Sequence, residues 1–176
     1  MKQAELRLIS ELMKNSRRSD RQLSKAIGVS QPTISRMMKK LEKEGYINGY
    51  SMVPNFSKIG FEILAFTFAK LTRPLISGDL EKARKDVREF LNKENAPVIL
   101  GMSGMGCNAD RVLVSLHEDY STYFTFMNFI RSHPLVEVDG VRSFIVNLVD
   151  EKHFLPLNFT GIAGYILGSK TLSTKA

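Results

Sequence analysis

Apolar and polar positions divide this 176-residue chain into two regions of different periodicity. In the first, Leu6, Ile9, Leu12 and Met13 recur at spacings of three and four, which predicts an amphipathic helix over about residues 3–15, ended by Asn15 and Ser16. Ser19 stands three residues before Gln22, the pattern in which a serine caps the amide of the third helical residue and a glutamine reaches back. A second helix is therefore predicted as far as about Ile27. Gly28 supplies the positive φ of a sharp turn, Val29 can plug the core, and Ser30 caps a third helix with Pro32 tolerated in its first turn. That helix continues to Glu44 and stops at Gly45. Helix, short glycine turn, helix is the helix-turn-helix arrangement, here with a preceding helix to complete its core.

After Gly45, Tyr46-Ile47-Asn48-Gly49-Tyr50 sets apolar residues around an Asn-Gly turn signal, and Met52-Val53-Pro54 follows as extended chain, either a wing or a linker strand. Beyond Gly60 the pattern predicts a strand at 61–71, a helix at 79–93, strands at 98–103 and 111–117, a helix at 119–132 and a strand at about 140–149. The order β-α-β-β-α-β is the ferredoxin-like plan of a four-stranded antiparallel sheet with two helices on one face. Leu80, Ala83, Val87, Phe90 and Leu91 form a stripe on the first of these helices, and Tyr120, Tyr123, Phe124, Met127 and Ile130 on the second. Both sheet faces read as apolar: Phe61, Ile63, Ala65, Ala69 and Leu71 oppose Leu64, Phe66 and Phe68, while Phe144, Val146 and Leu148 oppose Ile145 and Val149. A face left open by the helices needs a cover, either a second chain or the apolar tail after Asp150. The expected fold class is α+β, with a winged helix-turn-helix domain over 1–50, a linker over 51–60, a ferredoxin-like domain over 61–150 and a tail over 151–176.

Charge sharpens this division. Residues 1–60 hold 12 Lys/Arg against 5 Asp/Glu, whereas residues 61–176 hold 13 of each, so the whole formal charge of +7 lies in the first third. A positive module joined to a neutral one suits a polyanion. The apolar share of 43% and charged share of 24% are globular values that argue against disorder. Cys107 stands alone, which excludes an internal disulfide framework or a thiolate zinc site and fits a reducing cytoplasm; as a redox sensor it lacks a neighbouring cation. No apolar run reaches a membrane span, and Glu5, Arg7 and Glu11 interrupt any signal-peptide core, so neither a membrane nor secretion is expected. His117, His133 and His153 are too scattered for a metal motif, and His117-Glu118-Asp119 reads as a strand end and helix cap. Gly104 and Gly106 begin a Gly-x-Gly without the third glycine of a dinucleotide fingerprint, and no nucleophile stands with a base. No cofactor and no enzyme activity are expected.

On the third helix, Gln31, Thr33, Ser35, Arg36, Lys39 and Lys40 point to double-stranded DNA, while Ile34, Met37, Met38 and Leu41 face inward. Gln31 and Arg36 suit paired hydrogen bonds to adenine and guanine edges, and the two lysines suit phosphates. Arg17, Arg18, Arg21 and Lys25 should reach the flanking backbone. The plain alternative is a solvated helix face, and the rival function is a small ferredoxin-like enzyme or metabolite-binding module whose basic helices serve RNA or protein.

The chain resembles the Lrp/AsnC, or feast/famine, transcriptional regulators of bacteria and archaea. The resemblance is carried by Arg21-Gln22-Leu23-Ser24-Lys25-Ala26-Ile27-Gly28-Val29-Ser30 through Thr33-Ile34-Ser35-Arg36, by Leu41-Glu42-Lys43-Glu44-Gly45-Tyr46-Ile47, and by Ser57-Lys58-Ile59-Gly60-Phe61 entering a strand. It covers residues 3 to about 150; the tail after Asp150 resembles only a subset of archaeal relatives. What it implies is a sequence-specific DNA-binding dimer, often assembled into octamers, whose regulatory domains bind an amino acid. The family's pocket is lined partly by the hairpin between the second and third regulatory strands, commonly with a Gly-x-x-Asp element. Here Gly106 to Asp110 is one residue longer than that spacing. An effector is accordingly expected at Gly104, Gly106 and Asp110, whose amides and carboxylate suit an amino acid's two charges, against the alternative of a hairpin that needs glycine only for its turn.

Overall fold

Serine side chains start the second and third helices where the spacing expects them. The computed structural model describes residues 2–73, 80–93, 96–150 and 157–168. Helix α1 runs Gln3–Lys14, α2 Asp20–Ile27 and α3 Gln31–Lys43. Ser19 and Gln22 form the reciprocal capping box of α2, and Gly28 takes a φ of 81° at its end. Ser30 caps α3, with Pro32 in the first turn. The helix ends one residue earlier than expected, with Glu44 as its C-cap. Residues 47–55 carry no strand, so neither the wing strand nor the linker strand expected there forms.

The chain divides into two units, residues 1–54 with 154–176, and residues 55–153. The break at Pro54 lies inside the expected linker, and most of the expected tail belongs to the first unit. In that unit Leu8, Leu12, Leu23, Ile27, Ile34 and Leu41 form the core, with Val29, Met37 and Met38 packed on it. The stripe expected on α1 omits Leu8, which is fully buried. Helix α1 is buried on a second face as well: Leu6 and Ser10 are closed off, and the Ser10 hydroxyl donates to the Ala163 carbonyl at 2.8 Å. Ala163 belongs to helix α6, Thr160–Gly168, which packs on α1.

The second unit has strands β1 Ile63–Leu71, β2 Val98–Gly106, β3 Ala109–His117 and β4 Val136–Asn147, and helices α4 Leu80–Lys93 and α5 Tyr120–Arg131. The sheet is antiparallel in the order β2-β3-β1-β4, as the ferredoxin-like plan requires. Small residues on one face of β1, Ala65, Thr67 and Ala69, admit Tyr123, Phe126, Met127 and Ile130 of α5. That helix buries Phe126 where the pattern places Phe124, because 123, 126, 127 and 130 make the tighter helical stripe; Tyr120 and Phe124 remain exposed. On α4, Phe90 and Leu91 pack on the core while Val87 stays exposed, and the Leu80 and Ala83 side chains lie outside the described residues.

Two strands are longer than the pattern predicts at their shared turn. Cys107 and Asn108, both with φ near +50° (52° and 53°), make a two-residue turn of type I′ twist, so β2 and β3 pair up to Gly106 and Ala109. Strand β4 begins four residues early, at Val136, with a register shift opposite Ala69 and Leu71. Gly140 sits at this irregularity, where a Cβ would lie 2.8 Å from the Lys70 Cβ. The face away from the helices carries Leu100, Val114, Phe66 and Phe144 paired side by side across all four strands. Phe144 is 65% exposed in the single chain, and α6, the described part of the tail, lies on α1.

Candidate nucleic-acid interface

Helix α3 shows two opposed faces. Ile34 and Leu41 are fully buried, whereas Gln31, Arg36, Lys39 and Lys40 are exposed and Thr33 and Ser35 are half-buried. The turn that presents this helix is held from both sides: the Ser24 hydroxyl donates to the Val29 carbonyl at 2.5 Å, and the Ser30 and Thr33 hydroxyls meet at 2.8 Å. Asp20, Ser24, Ser30, Gln31, Pro32 and Ser35 line an open hollow where the starts of α2 and α3 converge. Helix-turn-helix proteins place the N-terminal side chains of the second helix against base edges. The Arg36 Nε donates to the Pro32 carbonyl at 3.3 Å, and its terminal nitrogens have no partner among the described residues.

The expected cations differ in their surroundings. Arg17, Arg21, Lys25 and Lys39 are exposed, and among the described residues their side chains have no acidic partner. Arg18 is paired with Glu11, which also holds Lys14 at 2.6 Å. Lys40 places its ammonium 2.7 Å from Glu5 and 3.9 Å from Glu44. Glu5 is only 4% exposed, a position the α1 stripe assigns to solvent. Its carboxyl is held below the ordinary carboxylate range, first by the Lys40 hydrogen bond and then by the Lys2 amide. A helix-start signal marks Glu5, the third-position acid that reaches back to its cap, but nothing in sequence couples it to Lys40. Beyond α3, the Tyr50 hydroxyl donates to Glu42 at 2.8 Å, and burial together with that carboxylate pushes the phenol up to about 12.

In the second unit, Gly106 takes a φ of 145° just before the hairpin turn, and a Cβ on Gly104 would meet nothing. The Asp110 carboxylate accepts the Leu71 amide at 2.9 Å, so one oxygen is engaged by the chain itself. Cys107 is exposed at the turn. His117 closes β3, and Asp119 caps α5, as the sequence suggests. The His117 ring is 1% exposed among Tyr123 and Phe126, its Nε2 lies 2.9 Å from the Ser115 hydroxyl, and its Nδ1 has no partner among the described residues. Burial lowers its pKa to about 4. Among the described residues no three His, Cys, Asp or Glu side chains gather to hold a metal, and no helix is long and apolar enough to cross a membrane.

Fold and site together define a class: a winged helix-turn-helix DNA-binding module joined to a ferredoxin-like sheet unit. Residues 1–48 match the family described as winged helix-turn-helix DNA-binding. The proline dehydrogenase transcriptional activator of Rhizobium radiobacter is 33% identical over 97 residues, 55% of this chain and 62% of that protein, so the likeness spans less than two thirds of it. The HTH-type transcriptional regulator Ptr1 of Methanocaldococcus jannaschii is 27% identical over 143 residues, 81% of this chain and 88% of that one. Among solved structures, a transcriptional regulator of Neisseria meningitidis in complex with L-Met superposes with a TM-score of 0.70 at 20% identity, covering 92% of this chain and 99% of that one. An AsnC family regulator from Agrobacterium tumefaciens does so at 0.67 and 20%, with the same coverage. Within its class, the chain is similar in sequence and in fold to the Lrp/AsnC transcriptional regulators.

Proposed function

We propose that this chain is a cytoplasmic, sequence-specific DNA-binding transcriptional regulator without enzyme activity, working as a dimer or larger assembly. The observation that carries the reading is α3, whose apolar side is sealed in the core while Gln31, Thr33, Ser35 and Arg36 are left along its outer side. Lys39 on that helix and the exposed Arg17, Arg21 and Lys25 before it are the candidate phosphate contacts. Arg18 and Lys40 stand in the same neighbourhood but already hold carboxylates. The apolar row Leu100, Val114, Phe66 and Phe144 supports pairing of two sheets, which would bring two DNA-binding units to one duplex. An octamer is the further assembly that the family resemblance implies.

We further propose an amino-acid effector at the hairpin of Gly104, Gly106 and Asp110. The L-Met complex of the Neisseria regulator supports this class of ligand. The Asp110 oxygen without a partner among the described residues suits an ammonium group, and the open space beside Gly104 and Gly106 leaves room for a ligand's carboxylate. Binding to duplex DNA with linear salt dependence and preference for sequences selected from a random pool tests the main reading; equal affinity for every sequence refutes it. Thermal-shift screening of the twenty amino acids tests the effector. A ligand at ~100 times its dissociation constant stabilises the fold by about 2.7 kcal/mol, and a shift that survives Asp110→Ala puts the ligand elsewhere.

A further inference from the structure

We infer that the Glu5–Lys40 ion pair positions α3 for base reading and that Lys40 makes no phosphate contact, an inference that rests on the DNA-binding reading above. Lys40 lies one turn beyond Arg36 on the recognition helix, where sequence position alone gives it to the DNA backbone. Its ammonium instead sits 2.7 Å from one Glu5 oxygen, while the other Glu5 oxygen accepts the Lys2 amide at 2.7 Å. Both oxygens of a carboxylate that is 4% exposed are thereby used.

The two partners are not equally free to part. The Lys40 side chain is 46% exposed and can be rehydrated, whereas Glu5, its side chain 5% exposed, would keep its charge where little water reaches it, with its cation gone. Moving Lys40 to a phosphate therefore strands a buried anion. The pair also joins helices whose contacting residues are 35 apart in sequence, and it lies well along α3 from the turn. The helix, seated on the core through Ile34 and Leu41, is thus tied on its polar side at two points, by the Ser24, Val29 and Ser30 contacts at its start and by Glu5 further on. The core seat is apolar and sets no direction by itself, so losing the Glu5 tie lets the helix roll or tilt slightly on that seat and shifts Gln31, Ser35 and Arg36 against base edges. The lowered Glu5 pKa and raised Lys40 pKa agree with a pair that stays closed. Lys39, exposed and without an acidic partner among the described residues, is the natural comparison.

The test uses the full chain, a labelled duplex selected by the wild type from a random pool, and a random-sequence duplex. Anisotropy titrations across a salt series are run for Lys39→Met, Lys40→Met, Glu5→Gln and the double variant Glu5→Gln/Lys40→Met, at a temperature where circular dichroism shows each folded. Lys39→Met is expected to lower the slope of log affinity against log salt by about 0.9, the signature of one lost phosphate contact, and to keep the preference for the selected duplex. Lys40→Met and Glu5→Gln are expected to keep the wild-type slope and lose several-fold in preference. A Lys40→Met slope that falls like that of Lys39→Met overturns the inference. So does a Glu5→Gln protein with wild-type preference, since Lys40 would then be free and nothing lost. Where Glu5→Gln does not fold, the double variant, which leaves no unpaired charge, is read in its place with the same expectation. A wild type without salt-dependent duplex binding removes the DNA-binding reading itself and is seen before any variant is compared.

Discussion

Arg36 and His117 show how differently two side chains can be tied to function. Arg36 is exposed on α3, and among the described residues only its Nε is engaged, so its terminal nitrogens suit a paired contact to a guanine edge. Arg36→Ala is expected to cost about 1–3 kcal/mol on the selected duplex and little on random DNA, measured by competition binding; equal losses on both would remove it from base reading. His117 is sealed, with one ring nitrogen on Ser115 and the other unpartnered among the described residues. Its folded pKa of about 4 lies below the ordinary 6.5, so between these values the unfolded chain binds the proton and the folded chain does not. The sheet unit should therefore keep its full stability above pH 6.5 and lose up to about 3 kcal/mol as pH falls towards 4, since each tenfold difference in proton affinity between the two states is worth about 1.4 kcal/mol. Denaturant midpoints measured across that range should flatten in His117→Gln; an identical slope in the variant would assign the acid sensitivity to other groups.

At the scale of elements, what could be read from the sequence was what neighbouring residues decide. Ser19 with Gln22, Gly28, and Ser30 with Pro32 fix helix ends through bonds spanning three or four residues, and the structure repeats them. Leu8 and Glu5 escaped because α1 has more than one covered face. Leu8 points to α2 and α3, Glu5 to Lys40, and Ser10 to α6, and no periodicity in twelve residues can announce three partners. The early start of β4 escaped for a related reason, since its pairing depends on an irregularity in β1. The candidate DNA-reading residues were legible as a group, while the pairing that separates Lys39 from Lys40 was not. Leu8→Ala should destabilise the DNA-binding unit by about 2–5 kcal/mol, through the apolar burial it removes and the cavity it leaves. Chemical denaturation followed by helical signal would show this loss, and a cost below about 1 kcal/mol would mean that the core closes around the gap.

For the whole molecule, the proposed assembly turns on the apolar sheet face away from the helices. Phe144 is exposed in one chain yet stands in an apolar row across four strands, so its replacement should leave the monomer folded and remove the pairing. Wild-type protein is expected to sediment as a dimer or larger at micromolar concentration and Phe144→Lys as a monomer; a monomeric wild type, or a variant of unchanged mass, would overturn pairing through this face. The other whole-molecule feature is the return of the chain to its beginning, where Ser10 bonds to a residue 153 positions later. A ribosome delivers α1 before the sheet unit, yet one side of that helix waits for α6 through the synthesis of that whole unit, about 8–30 s at ordinary elongation rates. During that interval Leu6 and Ser10 face solvent on the nascent chain. The DNA-binding unit is thus begun before the sheet unit and completed after it, and chains cut short before α6 would carry an unfinished reader.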